Sequence, residues 1–156
     1  MDGDPTTAEV LVVAPSNLGS LPTSMPAGYE IKDYAGEVKT SKGKIITKSS
    51  TTSGNQFYVL SLADYDTSTY NFDNARYKKI GEWYVPTKDQ WSAFLTNLES
   101  QNLTTTNYSS TFGLKIWYWS SSQHPDNLAW YVRFDNVSVT AGIVDNAFSV
   151  RLCATF

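Results

Sequence analysis

The stretch "GEWYVPTKDQWSAFLTNLESQN", Gly81 to Asn102, decides how the chain is read. Thr87 stands where a helix N-cap belongs, and Gln90 follows three residues later, the spacing of a capping box. Trp91, Phe94, Leu95 and Leu98 then fall at i, i+3, i+4 and i+7, one apolar stripe that must face a core. Burying each of these side chains contributes roughly 2 kcal/mol, so packing rather than intrinsic propensity holds this helix. It is scaffold.

Upstream, Thr69 to Lys79 reads as a first, less regular helix through Phe72, Ala75 and Arg76. "QFYVLSLA", Gln56 to Ala63, is a continuous apolar strand of the kind that lies centrally in a sheet. "SSTTSGN", Ser49 to Asn55, is a loop and a candidate boundary. Before it, "YEIKDY" alternates, and "EVKTSKGKIITK" reads as a hairpin turning at Ser41 to Lys44. The N-terminal arm holds one apolar strand, Val10 to Ala14, among Pro, Thr, Ser and Gly.

Downstream of the helix, a polar loop (Asn102 to Ser110) leads to "KIWYWSSS" and "LAWYVRFD", two strands. Alternation along the second sends Trp130, Val132 and Phe134 to the core and Tyr131, Arg133 and Asp135 to solvent. A short strand near Val137 to Val139 and the final "FSVRLCA" complete the sheet. Strands, two helices, then strands define an α+β class, with the helices packed around a twisted, mainly antiparallel sheet. The expected division is 1–50, an arm of short strands suited to oligomerisation or tethering, and 51–156, the main domain.

The chain has 156 residues, net charge −3 and pI ≈ 5.0. One domain is expected at that length, and the acidic balance argues against a nucleic-acid footprint. The single cysteine, Cys153, rules out a disulfide framework within the chain and a Cys-based zinc cluster. It reads as a small buried apolar residue on the last strand. No apolar run approaches the ~20 residues of a membrane span, and "MDGDPTTAEV" lacks the pattern of a signal peptide. Aromatic residues make up 14%, as suits a β-rich core.

Four segments, "GEWYVPTKDQW" (Gly81 to Trp91), "YWSSS" (Tyr118 to Ser122), "AWYVRF" (Ala129 to Phe134) and "SVRLCATF" (Ser149 to Phe156), resemble in order and spacing a C-type-lectin-like group. Its members typically read G-x-W-R-L-P-T-x-x-E-W, Y-W-S-S, A-W-Y-V-x-F and V-R-x-V. The group includes bacterial surface modules and is related in fold to the formylglycine-generating enzymes. The resemblance therefore implies a C-type-lectin-like fold. This chain departs from the pattern with Tyr84 where an Arg is common, and one cysteine cannot supply the paired-cysteine chemistry of those enzymes. "QHPDN", Gln123 to Asn127, matches only the first half of a calcium-dependent sugar site, whose later Asn-Asp pair is missing.

The terminus narrows the resemblance to the variable proteins of diversity-generating retroelements, found in phage tails and on microbial surfaces. In those systems template adenines are copied with errors, so Asn codons become any codon ending in C or T. Such codons cannot encode Lys, Glu, Gln, Met or Trp, the residues absent from Tyr131 to Phe156. The related pattern, F-x-N-G-x-V, an Asn-rich run, then S-x-x-V-R-x-x-x-F, aligns on Phe134, Asn136, Val139, Val150 and Arg151, with Phe156 one residue past the place of its final Phe. Thr140 to Ile143 then occupies the place of the Asn-rich run, and the resemblance implies a loop of interchangeable residues there. An ordinary surface loop in a fixed member of the family is the competing reading, because short β segments often lack Lys and Glu.

Catalysis has little to work with. His124 is the only histidine, in an expected loop beside Pro125 and Asp126, where solvation is the usual state. Asp64-Tyr65-Asp66 reads as the solvated end of a strand. Binding has more: Tyr, Phe and Arg are the side chains that most often dominate interfaces. The expected ligand surface comprises His124, Asp126, Asn127, Tyr131, Arg133, Asp135, Ser138, Thr140, Ala141, Gly142, Ile143, Asp145, Asn146 and Phe148. The expectation is a non-catalytic receptor-binding protein of a virion tail or cell surface, without cofactor or metal. Its partner would be a protein or glycan receptor rather than nucleic acid or membrane, with the N-terminal arm a candidate for homo-oligomer contacts. The alternative is a fixed adhesive or structural surface domain of the same fold.

Overall fold

The computed structural model describes residues 5–15, 27–33 and 44–156. Within these, the elements are β1 (Thr7–Pro15), β2 (Tyr29–Asp33), β3 (Lys44–Lys48), β4 (Phe57–Ser61), α1 (Phe72–Ala75), β5 (Lys79–Ile80), β6 (Trp83–Tyr84), α2 (Lys88–Ser100), β7 (Trp117–His124), β8 (Leu128–Arg133), β9 (Ser138–Ile143) and β10 (Cys153–Thr155). The class is α+β, as the pattern of elements predicts, but strands dominate and form two sheets rather than one. A seven-stranded sheet runs β2-β3-β1-β4-β10-β6-β5, and a three-stranded sheet runs β7-β8-β9. All the strand pairs within them are antiparallel.

The apolar segment at Phe57–Ser61 is central as expected, paired with β1 on one side and β10 on the other. The sheet is continuous across the expected boundary near residue 50, since β1 also pairs β3, which pairs β2. Of the expected hairpin turn, Ser41 to Gly43 lies outside the described residues.

Helix α2 follows its pattern. Thr87 accepts from the Gln90 backbone N–H at 3.2 Å, and the Gln90 side chain accepts from the Thr87 N–H at 2.9 Å. Trp91, Phe94, Leu95 and Leu98 are all buried. The first helix is much shorter than Thr69 to Lys79. Asn71 caps it by accepting from Asn74 N–H at 3.0 Å, and by Lys79 the chain is already extended in β5. Tyr77, which a longer helix would have to pack, is 76% exposed.

The C-terminal segment ties the two sheets together, and it is not one strand. Phe148 bridges Tyr70, and Ser149 bridges Tyr118 of β7 in parallel. Leu152 O accepts from Ser61 N–H at 2.9 Å, and β10 then enters the large sheet between β4 and β6. Two apolar clusters result. One surrounds Trp83, Trp119, Phe72, Phe148 and Phe156, and the other packs α2 with Tyr118, Val132, Phe134 and Cys153. Cys153 is fully buried, as its reading predicts, and burial pushes its thiol pKa well up.

Candidate functional site

The three-stranded sheet has both of its faces partly covered, which is why β8 shows no clean polar/apolar alternation. Directly opposed residues of antiparallel strands share a face. The rungs Trp117–Arg133–Ser138 and Trp119–Tyr131–Thr140 therefore lie on one face, followed by Ala129 and Gly142. Tyr118, His124, Leu128, Trp130, Val132, Val139, Ala141 and Ile143 lie on the other.

The first face is floored by an aromatic ladder. The Phe148 ring sits 4.5 Å from Trp119, 4.7 Å from Tyr131 and 5.5 Å from Trp117. Trp119 is fully buried beneath it, donating from Nε1 to Tyr70 O at 2.7 Å. The Tyr131 ring lies over Gly142, where a Cβ would come within 2.8 Å of its Cε1. At the far end Arg133 grips Asp135 with two parallel bonds, Nε to Oδ1 at 2.8 Å and Nη2 to Oδ2 at 2.7 Å. That grip holds the Asp135 carboxyl below its usual range and raises the guanidinium pKa. The result is a stiff surface of phenol, guanidinium, carboxylate and hydroxyls, the last from the half-buried Ser138 and Thr140.

The expected ligand set is thus only partly brought together. Tyr131, Arg133, Ser138, Thr140 and Gly142 share the face, with Phe148 beneath and Asp135 at its end. Ala141 and Ile143 point to the opposite side, because the run Thr140 to Ile143 is not a loop. It pairs residue by residue with β8, from Thr140 opposite Tyr131 to Ile143 opposite Leu128. His124 is also on the opposite side as the last residue of β7, its ring 5.0 Å from Trp130 and its Nδ1 3.0 Å from Pro125 O. Asp126 and Asn127 form the β7–β8 turn with φ of 67° and 59°, a conformation that Asp and Asn tolerate well. Asp145 and Asn146 are exposed in the turn after β9.

Two further expectations are corrected. Trp130 is half-buried rather than core: its ring packs under Lys88 Nζ at 4.6 Å, beyond the reach of the α2 stripe. Asp64 is no solvated strand end, because its carboxylate meets the buried Arg151 at 2.9 Å and accepts from Tyr118 OH at 2.7 Å.

Sequence reasoning missed the ground beside the ladder. A cleft of about 480 Å³ opens there, lined by Tyr108, Leu114, Lys115, Ile116, Trp117 and Phe148 among others. Trp117 is 40% exposed although its neighbour two residues on is fully buried. The W-Y-W alternation places both tryptophans on one face, but it cannot say where along a strand the cover ends. Among the described residues no group of three or more His, Cys, Asp or Glu side chains could hold a metal ion. No protein-family profile matches the chain, and no curated protein matches it.

Proposed function

We propose that the chain is a non-catalytic binding module of the C-type-lectin-like kind, displayed on a virion tail or cell surface, and that its receptor contacts the face carrying Tyr131, Arg133, Ser138 and Thr140. The observation that carries this reading is the division of labour across β8. Val132 and Ala129 are fully buried, while Arg133 keeps a third of its side chain exposed on the same six-residue strand. Substitutions on such a surface usually cost less than ~0.5 kcal/mol each, so contacts can change while the platform stands.

The retroelement reading gains support from one backbone angle. The related pattern carries Gly directly after Asn136, where this chain has Val137, and Val137 has φ of 50°. That is the left-handed region glycine favours and β-branched residues avoid.

The fixed adhesive domain is favoured by a different observation. Gly142 lies inside the interval that would be diversified, yet no side chain fits there while Tyr131 holds its place. The two readings separate at the DNA level. A near-copy of the segment encoding Tyr131 to Phe156, differing only at adenines, establishes diversification, and its absence leaves the fixed domain.

The binding face itself is tested with a library randomised at Arg133, Ser138 and Thr140 and panned against cell-envelope proteins and glycans. Folded members with new specificities are expected. A library that stays folded but never acquires a ligand overturns the assignment of this face.

A further inference from the structure

The exposed edges of a sheet invite pairing with other chains, and proteins protect them with charge, brevity or cover. The edges of this molecule are treated unequally. Strand β2, at one end of the large sheet, carries Glu30 and Lys32 in an exposed ion pair at 2.8 Å. Strand β5, at the other end, is two residues long and includes Lys79. The β7 side of the small sheet is covered by Ser149, which donates to Trp117 O at 3.2 Å and accepts from Trp119 N–H at 3.1 Å.

Among the described residues, strand β9 has none of these devices. Its six residues, Ser138 to Ile143, contain no charge and no proline. Among the described residues it pairs only with β8. Every second residue therefore turns its N–H and C=O outward, in the spacing that an extended polypeptide and no glycan reproduces, up to Ile143, whose O already accepts from Asn146 N–H at 3.1 Å. Ile143, at its end, is 57% exposed.

We propose that β9 is a docking edge for an extended segment of a partner protein, which joins the small sheet as a fourth strand. This rests on the binding-module reading above and names its ligand class. It also gives a use to the division of the expected site between two faces. A docked strand would place alternate side chains over the Thr140 side and over the Ala141 and Ile143 side. Backbone bonds would supply affinity that does not depend on which side chains β9 carries, and the side chains on the two faces would supply selectivity. Apart from Gly142, whose place the Tyr131 ring fixes, such an edge tolerates exchange of its own residues because the pairing groups are common to all of them.

A second copy of the chain is the obvious competitor, and the ends of β9 do not favour it. Antiparallel self-pairing centred on Thr140 and Ala141 would set Asp145 of one copy against Asn136, beside Asp135, of the other.

The test uses the full chain and a displayed library of linear random peptides as probe. Binders are resynthesised with single backbone N-methyl groups at successive positions. Edge pairing predicts an alternating result, with every second N-methyl group weakening binding by about five- to tenfold and the others nearly silent. An Ile143→Lys variant should weaken the same peptides without changing the melting temperature. A flat N-methyl scan, or binders whose footprint is the Trp117 cleft, overturns the pairing. So does a library without binders, or a chain that sediments as a dimer released by Ile143→Lys. Binders lost on Arg133→Ala with a flat scan would overturn it while leaving the binding-module reading intact.

Discussion

Arg151 lies 2.9 Å from Asp64, eighty-seven positions earlier in the chain, and its side chain is 3% exposed. The guanidinium also donates to Ser61 O at 3.3 Å, Leu62 O at 3.2 Å and Gly113 O at 3.1 Å, so one residue of the C-terminal segment locks two other segments, 61–64 and the one around Gly113. Breaking a buried pair by removing one partner typically costs about 3–5 kcal/mol, because the remaining charge is left uncompensated. Asp64→Asn should therefore lower the free energy of unfolding by several kcal/mol in urea titrations, and adding Arg151→Met should restore part of it. If Asp64→Asn is silent, the pair does not hold the C-terminal segment against the end of β4.

Gly142 and Tyr131 should behave as one unit. An added methyl at Gly142 must displace the Tyr131 ring, and overpacking of this kind costs about 1–3 kcal/mol. Gly142→Ala in a Tyr131→Ser background should cost less than in the parent, and a double-mutant cycle measures the difference. Additive effects would show that the two positions vary independently.

The two tryptophans Trp119 and Trp130 should separate sharply. Trp119→Ala empties a fully buried site that touches Phe72, Tyr131 and Phe148, and should cost about 3–5 kcal/mol. Trp130→Ala, at a half-buried site beside Lys88 and His124, should cost clearly less. Equal losses in chemical denaturation would place Trp130 in the core after all.

Val137 and Val139 are both half-buried, but only Val137 is left-handed. Val137→Gly relieves a conformation that costs on the order of 1–3 kcal/mol, which offsets the lost packing. It should leave stability within about 1 kcal/mol of the parent, whereas Val139→Gly should be distinctly destabilising. Calorimetry of the two variants decides it.

Alkaline pH should unfold the protein. Burial raises the pKa of Tyr118 and Tyr84, and of Cys153, because each would have to ionise away from water. A folded-state pKa above the unfolded value means the stability is fully present below the unfolded values, near ~8.5 for Cys and ~10 for Tyr. It is then lost as pH rises toward the folded-state values. Melting temperatures should be level up to about pH 8 and fall steeply beyond it. A flat profile to pH 11 would contradict the burial of these groups.

Local pattern determined what depends on neighbours along the chain. The capping box at Thr87 and Gln90, the stripe from Trp91 to Leu98 and the central strand at Phe57 to Ser61 are legible because each rests on spacing within a few residues. The α+β class follows from their order. The pairing of Asp64 with Arg151, the removal of Trp130 from the core and the strand at Thr140 to Ile143 could not be read in the same way. Alternation shows that two sets of side chains point apart, but how deeply each is covered depends on segments distant in sequence. On β8 the cover comes from α2 on one face and from Phe72 and Phe148 on the other, and both stop short of the strand's ends. Where that cover stops is set by packing in three dimensions, so the aromatic ladder, the cleft at Trp117 and the edge position of β9 belong to the tertiary structure alone.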